Sequence, residues 1–383
     1  MPLLPDYIEP SDAALKARLS AIDIAAYSKT RNHLNGKVTR LSPYITHGFI
    51  TIPELFEQLP ELKLSDKLAF EFGWREFFHH VWSHEGERIL ADMRPGLPGV
   101  HYANDLPDDI REGCTGLAAI DQAVHQLYAT GYLHNHARMW VASYVVHLRK
   151  VHWRIGADWM FAHLLDGDLA SNHLSWQWVA ATFSSKPYLF NAENVSRYAP
   201  ADWHCAGSAI DTSYEALEAI ARSNDIIKLS PSLVGAVEPE TMVNPAGLSS
   251  TSIPKAERIR LVHPWLLDNC SFDGLRVGVI HLPFHAKFLW SGLRWRFVMD
   301  RMSAITDALF IGDLNDLKNM LSKTPHVEST ETLNPGYREL LPALCTHLAE
   351  TPRRFANPAK TCRSFSAFWT QCAGESHERG WHR

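Results

Sequence analysis

More than half of the chain, from residue 1 to about 228, places its apolar side chains at helical spacing, and no convincing strand-like alternation occurs before residue 250. That excludes a sandwich or barrel for this part and predicts a bundle of helices. Ile120, Val124, Leu127 and Tyr128 recur at i, i+4, i+7 and i+8, and Gly131 is a natural stop. Leu64, Leu68 and Phe72 form a second stripe, continued by Phe78, Val81 and Trp82. Met139, Ala142, Val146 and Arg149 form a third.

The texture changes after residue 228. Residues 229–257 are rich in Pro, Ser and Gly and read as a linker. Beyond it, RIRLVH, LRVGVIH and ALFIGD look like short buried strands, with an amphipathic helix around Trp295–Ile305 before the third. The expected fold class is mainly α: an all-helical domain over 1–228, then a small α/β, Rossmann-like domain over 258–383 with some parallel pairing. Neither GxGxxG nor GxxxxGK[ST] is present, so a nucleotide loop of either kind is not supported.

Composition narrows the class further. The six cysteines are scattered without a CxxC pair, which reads as reduced thiols in a cytoplasmic protein. No apolar run reaches the roughly eighteen residues that a membrane span needs, and the N-terminal stretch shows no export signal. The net charge of −5 means that any grip on DNA must come from a local patch, because phosphate neutralisation supplies much of such affinity. Thirteen tryptophans exceed what core packing requires, and about half of them cluster around the motifs that follow.

The most informative stretch is LLDGDLASNHLSWQWVA, residues 164–180. Asp166-Gly167-Asp168 sets carboxylates at a helix start, where the helix dipole favours them. Asp168, Asn172 and Trp176 follow four apart, so they lie almost on one line of a helix. A carboxylate, an amide and an indole on one face make either a satisfied buried polar cluster or the wall of a flat, polar-edged, π-rich ligand.

This stretch resembles the central flavin-binding motif of the photolyase and cryptochrome family. Other pieces stand in the family's order: TRLSPYITHG (39–48), EFGWREFFHH (71–80) and TGYLHNHARMWVAS (130–143), covering roughly residues 20–200 with the central motif. The resemblance implies an FAD cofactor. Thr39, Arg40, Leu41, Ser42 and Arg75, with Tyr27 upstream, would hold its diphosphate and ribityl chain. Arg138 and Asp166 would pair beside the isoalloxazine, Asp168 would meet its pyrimidine edge, and Asn172 would face N5. Glu71, Trp74, Asn135, Met139 and Trp178 match positions that line the pocket for a cyclobutane pyrimidine dimer, with Asn135 also on the cofactor side. Trp176 and Trp153 match the two flavin-side members of an electron-transfer chain. Its third member has no clean equivalent, with Tyr102 a candidate and Trp140 and Trp159 alternative hops.

What the resemblance implies is therefore a carbon–carbon lyase, a blue-light-driven DNA photolyase acting on ultraviolet-damaged DNA. Trp153, Trp176, Asn172 and Glu71 would carry the chemistry, and no metal is needed. The alternative is a cryptochrome-like photoreceptor with a signalling partner and no repair activity. The sequence departs from the family in several places. The flavin motifs start almost at once, without the usual N-terminal antenna domain, and the 258–383 segment faintly resembles that domain displaced and shortened, with no antenna chromophore assigned. Leu174-Ser175 replaces a small pair, and His136 stands where an arginine often sits.

Overall fold

The computed structural model describes residues 7–227, 235–245 and 247–378. Residues 229–234 and 246 of the expected linker fall outside this range. Five of the helices carry most of the motif residues: α1 (Lys67–Glu85), α2 (Ala118–Thr130), α3 (Asn135–Ser143), α4 (Trp153–His163) and α5 (Leu169–Val179). Helix accounts for about 47% of the residues, so it prevails without excluding a substantial sheet. No helix among the described residues is long and apolar enough to cross a membrane.

The chain divides into two compact units. One contains residues 23–38 and 85–239; the other contains 8–22, 39–84 and 240–383. This differs from a contiguous split at 228 and 257, because residues 39–84 belong with the C-terminal part. The physical reason lies in α1, whose face is bonded to residues near 354–362, as described below.

In the first unit the periodic stripes become buried faces. Ile120, Val124 and Leu127 of α2 are buried, and the helix stops at Gly131, whose φ of 66° lies in the left-handed region. A side chain there would also meet Leu165 at 2.7 Å. The 139–149 stripe is not one uniform helix. α3 ends at Ser143, and Tyr144–Leu148 form a π-helical turn with every side chain buried, a widening frequent near functional sites. The stripe expected from Leu64 likewise begins later, at Lys67, because the Asp66 carboxylate accepts from Lys63 N and closes a turn there.

In the second unit lies a sheet of five strands: β1 (Arg258–Val262), β2 (Leu275–His281), β3 (Ala308–Gly312), β4 (His326–Thr330) and β5 (His347–Ala349). Their spatial order is β3-β2-β1-β4-β5, and every neighbouring pair is parallel. Leu261 faces Val277, and Val279 faces Phe310. β2 is buried along most of its length, as a central parallel strand covered on both faces must be. Helix α6 (Gly292–Ile305) makes the crossover between β2 and β3, and the order reverses between β1 and β4 as in doubly wound folds. The helix expected at Trp295–Ile305 thus begins three residues earlier, capped by Ser291, whose hydroxyl accepts from Arg294 N.

Candidate cofactor and electron-transfer site

α5 opens on Asp168, which has extended backbone and accepts from Ser171 N at 2.7 Å as the helix cap. Asn172 and Trp176 follow on the same helix, and both are buried. Asn172 donates its amide to Ala157 O on α4 at 2.8 Å, which leaves its oxygen end as an acceptor. Asp166 lies just before the cap and forms a two-oxygen pair with Arg138 of α3, at 3.0 and 2.8 Å. Arg138 is held from its other side by Leu133 O. The four expected polar residues Arg138, Asp166, Asp168 and Asn172 are thus positioned by α3, α4 and α5 of a single unit.

Trp176 rests on bare backbone. A Cβ on Gly156 would stand 2.4 Å from the Trp176 ring, so glycine permits the indole to lie directly on α4. Trp153 is one helical turn away on α4 and is also buried. Its Nε1–H donates to Asp92 Oδ1 at 2.6 Å. Next to it stands His152, with ring centroids 5.6 Å apart, and Tyr102 lies 6.4 Å from His152. Burial, and then the Asp92 charge, push the Tyr102 phenol up to about 12. Trp140 instead donates to Asn194 and packs on Phe190, while Trp159 donates to the Tyr128 hydroxyl. Both alternative hops are hydrogen-bonded core indoles.

The substrate residues divide between the units. In the first, Asn135 and Met139 are neighbours on α3, with the amide 3.8 Å from the thioether sulfur. Trp178 is 37% exposed, unusual for so large an apolar side chain, and leans on Tyr188 at 5.8 Å. In the second, Glu71, Trp74 and Arg75 lie on α1. The Trp74 ring stacks on Phe365 with centroids 4.2 Å apart and planes 12° apart, and Phe77 and Phe78 flank it. One face expected to receive a base is therefore covered by helix α7 (Phe365–Glu378).

The segment just before α7, residues 354–362, grips the rest of α1. The buried Glu76 carboxylate accepts from Arg354 N at 2.8 Å and Phe355 N at 3.0 Å. His80 bonds Asn357 through Nδ1 and accepts from Cys362 N through Nε2. Burial raises the Glu76 carboxyl to about 7 against the pull of those amides and of Arg353 and Arg354.

The phosphate-binding segment is also in the second unit. Arg40 has φ of 51°, strained for a side-chain-bearing residue. Leu41 is fully buried, and Ser42 opens the short helix Ser42–Thr46. Tyr27 is buried on the helix Ile24–Thr30 of the first unit.

Sequence reasoning missed the residues that brace this arrangement. Gln177, between Trp176 and Trp178, is fully buried; it donates to Ile89 O and accepts from Met93 N. Asp158 bridges Arg154 and His173 across α4 and α5. Asp92 sits in the loop that Gln177 holds. Motif spacing signals the glutamine only as part of WQW, and nothing local marks Asp92.

The donor set fits an isoalloxazine. Two buried carboxylates suit ring N–H groups, the Asn172 oxygen is a further acceptor, and Arg138 offsets the charge. Ser171 Oγ, next to Asn172 in the chain, is a buried polar atom without a hydrogen-bond partner among the described residues, the kind of group that a polar-edged ligand could satisfy.

Residues 68–203 match the family described as the FAD binding domain of DNA photolyase. The chain is 35% identical over 162 residues to a deoxyribodipyrimidine photo-lyase of Streptomyces griseus, covering 42% of this chain and 36% of the relative. It is 31% identical over 170 residues to a cryptochrome DASH of Danio rerio, covering 41% and 32%. The chain therefore spans about a third of the length of these curated relatives. Among solved structures it is similar to an archaeal photolyase from Sulfolobus tokodaii, at 23% identity and a TM-score of 0.46, covering 60% of this chain and 54% of that one. Over residues 68–203, then, this chain is similar to the FAD binding domain of the photolyase and cryptochrome family.

Proposed function

We propose that this protein is a blue-light-driven, FAD-dependent DNA photolyase that repairs cyclobutane pyrimidine dimers. The observation that carries the reading is the single-unit cluster of Arg138, Asp166, Asp168 and Asn172 with Trp176 on the same helix as the last two. When bound, FAD supplies the photoexcitable electron donor; the protein supplies binding, orientation and electrostatics. Arg138 and Asp166, which fix each other, would stand beside the ring, Asp168 would hold its pyrimidine edge, and Asn172 would accept at N5 without adding negative charge. Thr39, Arg40, Leu41, Ser42, Arg75 and Tyr27 keep the phosphate and ribityl role that the resemblance gives them. Asn135, Met139 and exposed Trp178 in the one unit, and Glu71 and Trp74 in the other, each keep the dimer-binding role that the resemblance gives them; indoles can clamp flipped-out bases by stacking. Trp153 and Trp176 return the flavin to its reduced state.

A second reading, a cryptochrome-like photoreceptor without repair activity, is favoured by one observation: Phe365 covers a face of Trp74. Purified, photoreduced protein incubated under blue light with a dimer-containing oligonucleotide separates the two. Restored pyrimidines support repair. An unchanged oligonucleotide with normal flavin photoreduction overturns it in favour of the receptor.

A further inference from the structure

Oxidation of an aromatic side chain leaves a radical cation, and its lifetime depends on where the ring proton goes. Trp153 and Tyr102 differ sharply in this respect. The Trp153 Nε1–H points at a carboxylate, Asp92 Oδ1, at 2.6 Å, slightly shorter than the usual charge-assisted N–H···O distance. Trp153 is 2% exposed, whereas the Asp92 side chain is 44% exposed. A proton that reaches Asp92 has therefore left the core and stands at water. The carboxylate is held in place: Gln177 fixes the loop at Ile89 and Met93, Arg154 donates to Leu90 O, and His152 Nε2 lies 3.7 Å from the same Asp92 oxygen. The Tyr102 hydroxyl is buried with no hydrogen-bond partner. A phenol loses its proton on oxidation, and among the described residues no base is hydrogen-bonded to this one to receive it.

We infer that Asp92 is the proton acceptor for Trp153, and that the electron-transfer chain ends there as a neutral indolyl radical rather than passing to Tyr102. This rests on the flavin reading above. The step balances simply. One electron passes from Trp153 to an oxidised Trp176, for which bound FAD would be the electron acceptor. The Nε1–H bond breaks and its proton bonds to Asp92 Oδ1. Trp176 is restored, Trp153 is a neutral radical, and Asp92 is a neutral acid. Separated in this way, the charge no longer attracts its own return.

The test compares FAD-loaded wild type with Asp92→Asn, Tyr102→Phe and Trp153→Phe by flash spectroscopy and electron paramagnetic resonance. In wild type, the expected species is a neutral tryptophanyl radical, lost in Trp153→Phe and unaltered in Tyr102→Phe. Asparagine keeps an acceptor oxygen but is no base. Asp92→Asn should leave the radical in its cation form and shorten its lifetime by roughly 10- to 100-fold, the range a charge-assisted hydrogen bond commands. In FAD-free protein, the Trp153 indole proton should resonate downfield of the other indoles and move upfield in Asp92→Ala. A tyrosyl radical that vanishes in Tyr102→Phe overturns the proposal, as does an Asp92→Asn radical identical to wild type. An FAD-loaded wild type that forms no radical at all overturns both this proposal and the flavin electron-transfer reading.

Discussion

Replacing Gly156 by alanine sets two effects against each other with opposite signs. Gly156 lies inside α4, and helix propensity alone favours alanine there by about 1 kcal/mol. The new Cβ would stand 2.4 Å from Cη2 and Cζ3 of Trp176 and 3.2 Å from Val145 Cγ1. Carbon atoms rest at about 3.5–4.0 Å, so the ring must retreat by more than about 1 Å. Trp176 is a rigid, buried side chain, with no flexible end to fold away. Overpacking of this kind costs about 1–3 kcal/mol, and a rigid ring belongs in the upper half of that range. The net expectation is a loss of about 1–2 kcal/mol, by difference of the two terms. Urea denaturation of the FAD-free protein measures it. In the FAD-loaded protein, displacement of Trp176 should slow photoreduction. Trp176→Phe removes part of the clashing ring, so the double variant should recover stability relative to the sum of the singles, a coupling that a double-mutant cycle isolates. A Gly156→Ala protein more stable than wild type, with unchanged photoreduction, refutes the packing argument.

Other perturbations test other parts of the molecule. Burial holds the Glu76 carboxyl at about 7 against an ordinary 4.5, so the folded state keeps a proton that the unfolded chain has released between those values. Wild-type stability should therefore fall by up to about 3 kcal/mol as pH rises from 4.5 to 7, and Glu76→Gln should flatten that slope in urea titrations; an unchanged slope assigns it elsewhere. Asp166→Asn leaves Arg138 without its carboxylate and should cost about 3 kcal/mol in FAD-free protein, together with weaker FAD retention on gel filtration. Phe365→Ala should cost about 2 kcal/mol and red-shift Trp74 emission. If repair uses the covered face of Trp74, this variant also binds a dimer-containing oligonucleotide more tightly than wild type; unchanged affinity counts against that use.

Local features were the legible ones. The α2 stripe, its stop at Gly131, the Asp168 cap and the Asp168–Asn172–Trp176 line all follow from spacing within one helix, and the structure reproduces them. The three strand segments were recognisable as short apolar runs. The strand order was not, since pairing between β1 and β4 joins residues far apart in the chain. Nor was the companion of α1 visible. Glu76 and Trp74 read as motif residues, yet their hydrogen-bonding and stacking partners lie beyond residue 350. Asp92 escaped for the same reason: its bond to Trp153 spans 61 residues, and no periodicity reports it. The π-helical turn at Tyr144–Leu148 is a backbone event that leaves the apolar spacing almost unchanged, so the 139–149 stripe reads as an uninterrupted helix.

The grip of residues 354–362 on α1 also has a consequence for synthesis. The amides that satisfy Glu76 come 278 and 279 residues after it. At a ribosomal rate of about 5–20 residues per second, they emerge roughly 15–55 s later. Throughout that interval α1 exists with Trp74, Phe77 and a carboxylate destined for burial all uncovered. Residues 85–239 can meanwhile collapse on contacts that are already complete. The nascent chain thus carries an unfinished aromatic helix on the N-terminal side of a finished unit. It is this helix, rather than the flavin motifs after it, that would most need shielding by a chaperone during translation.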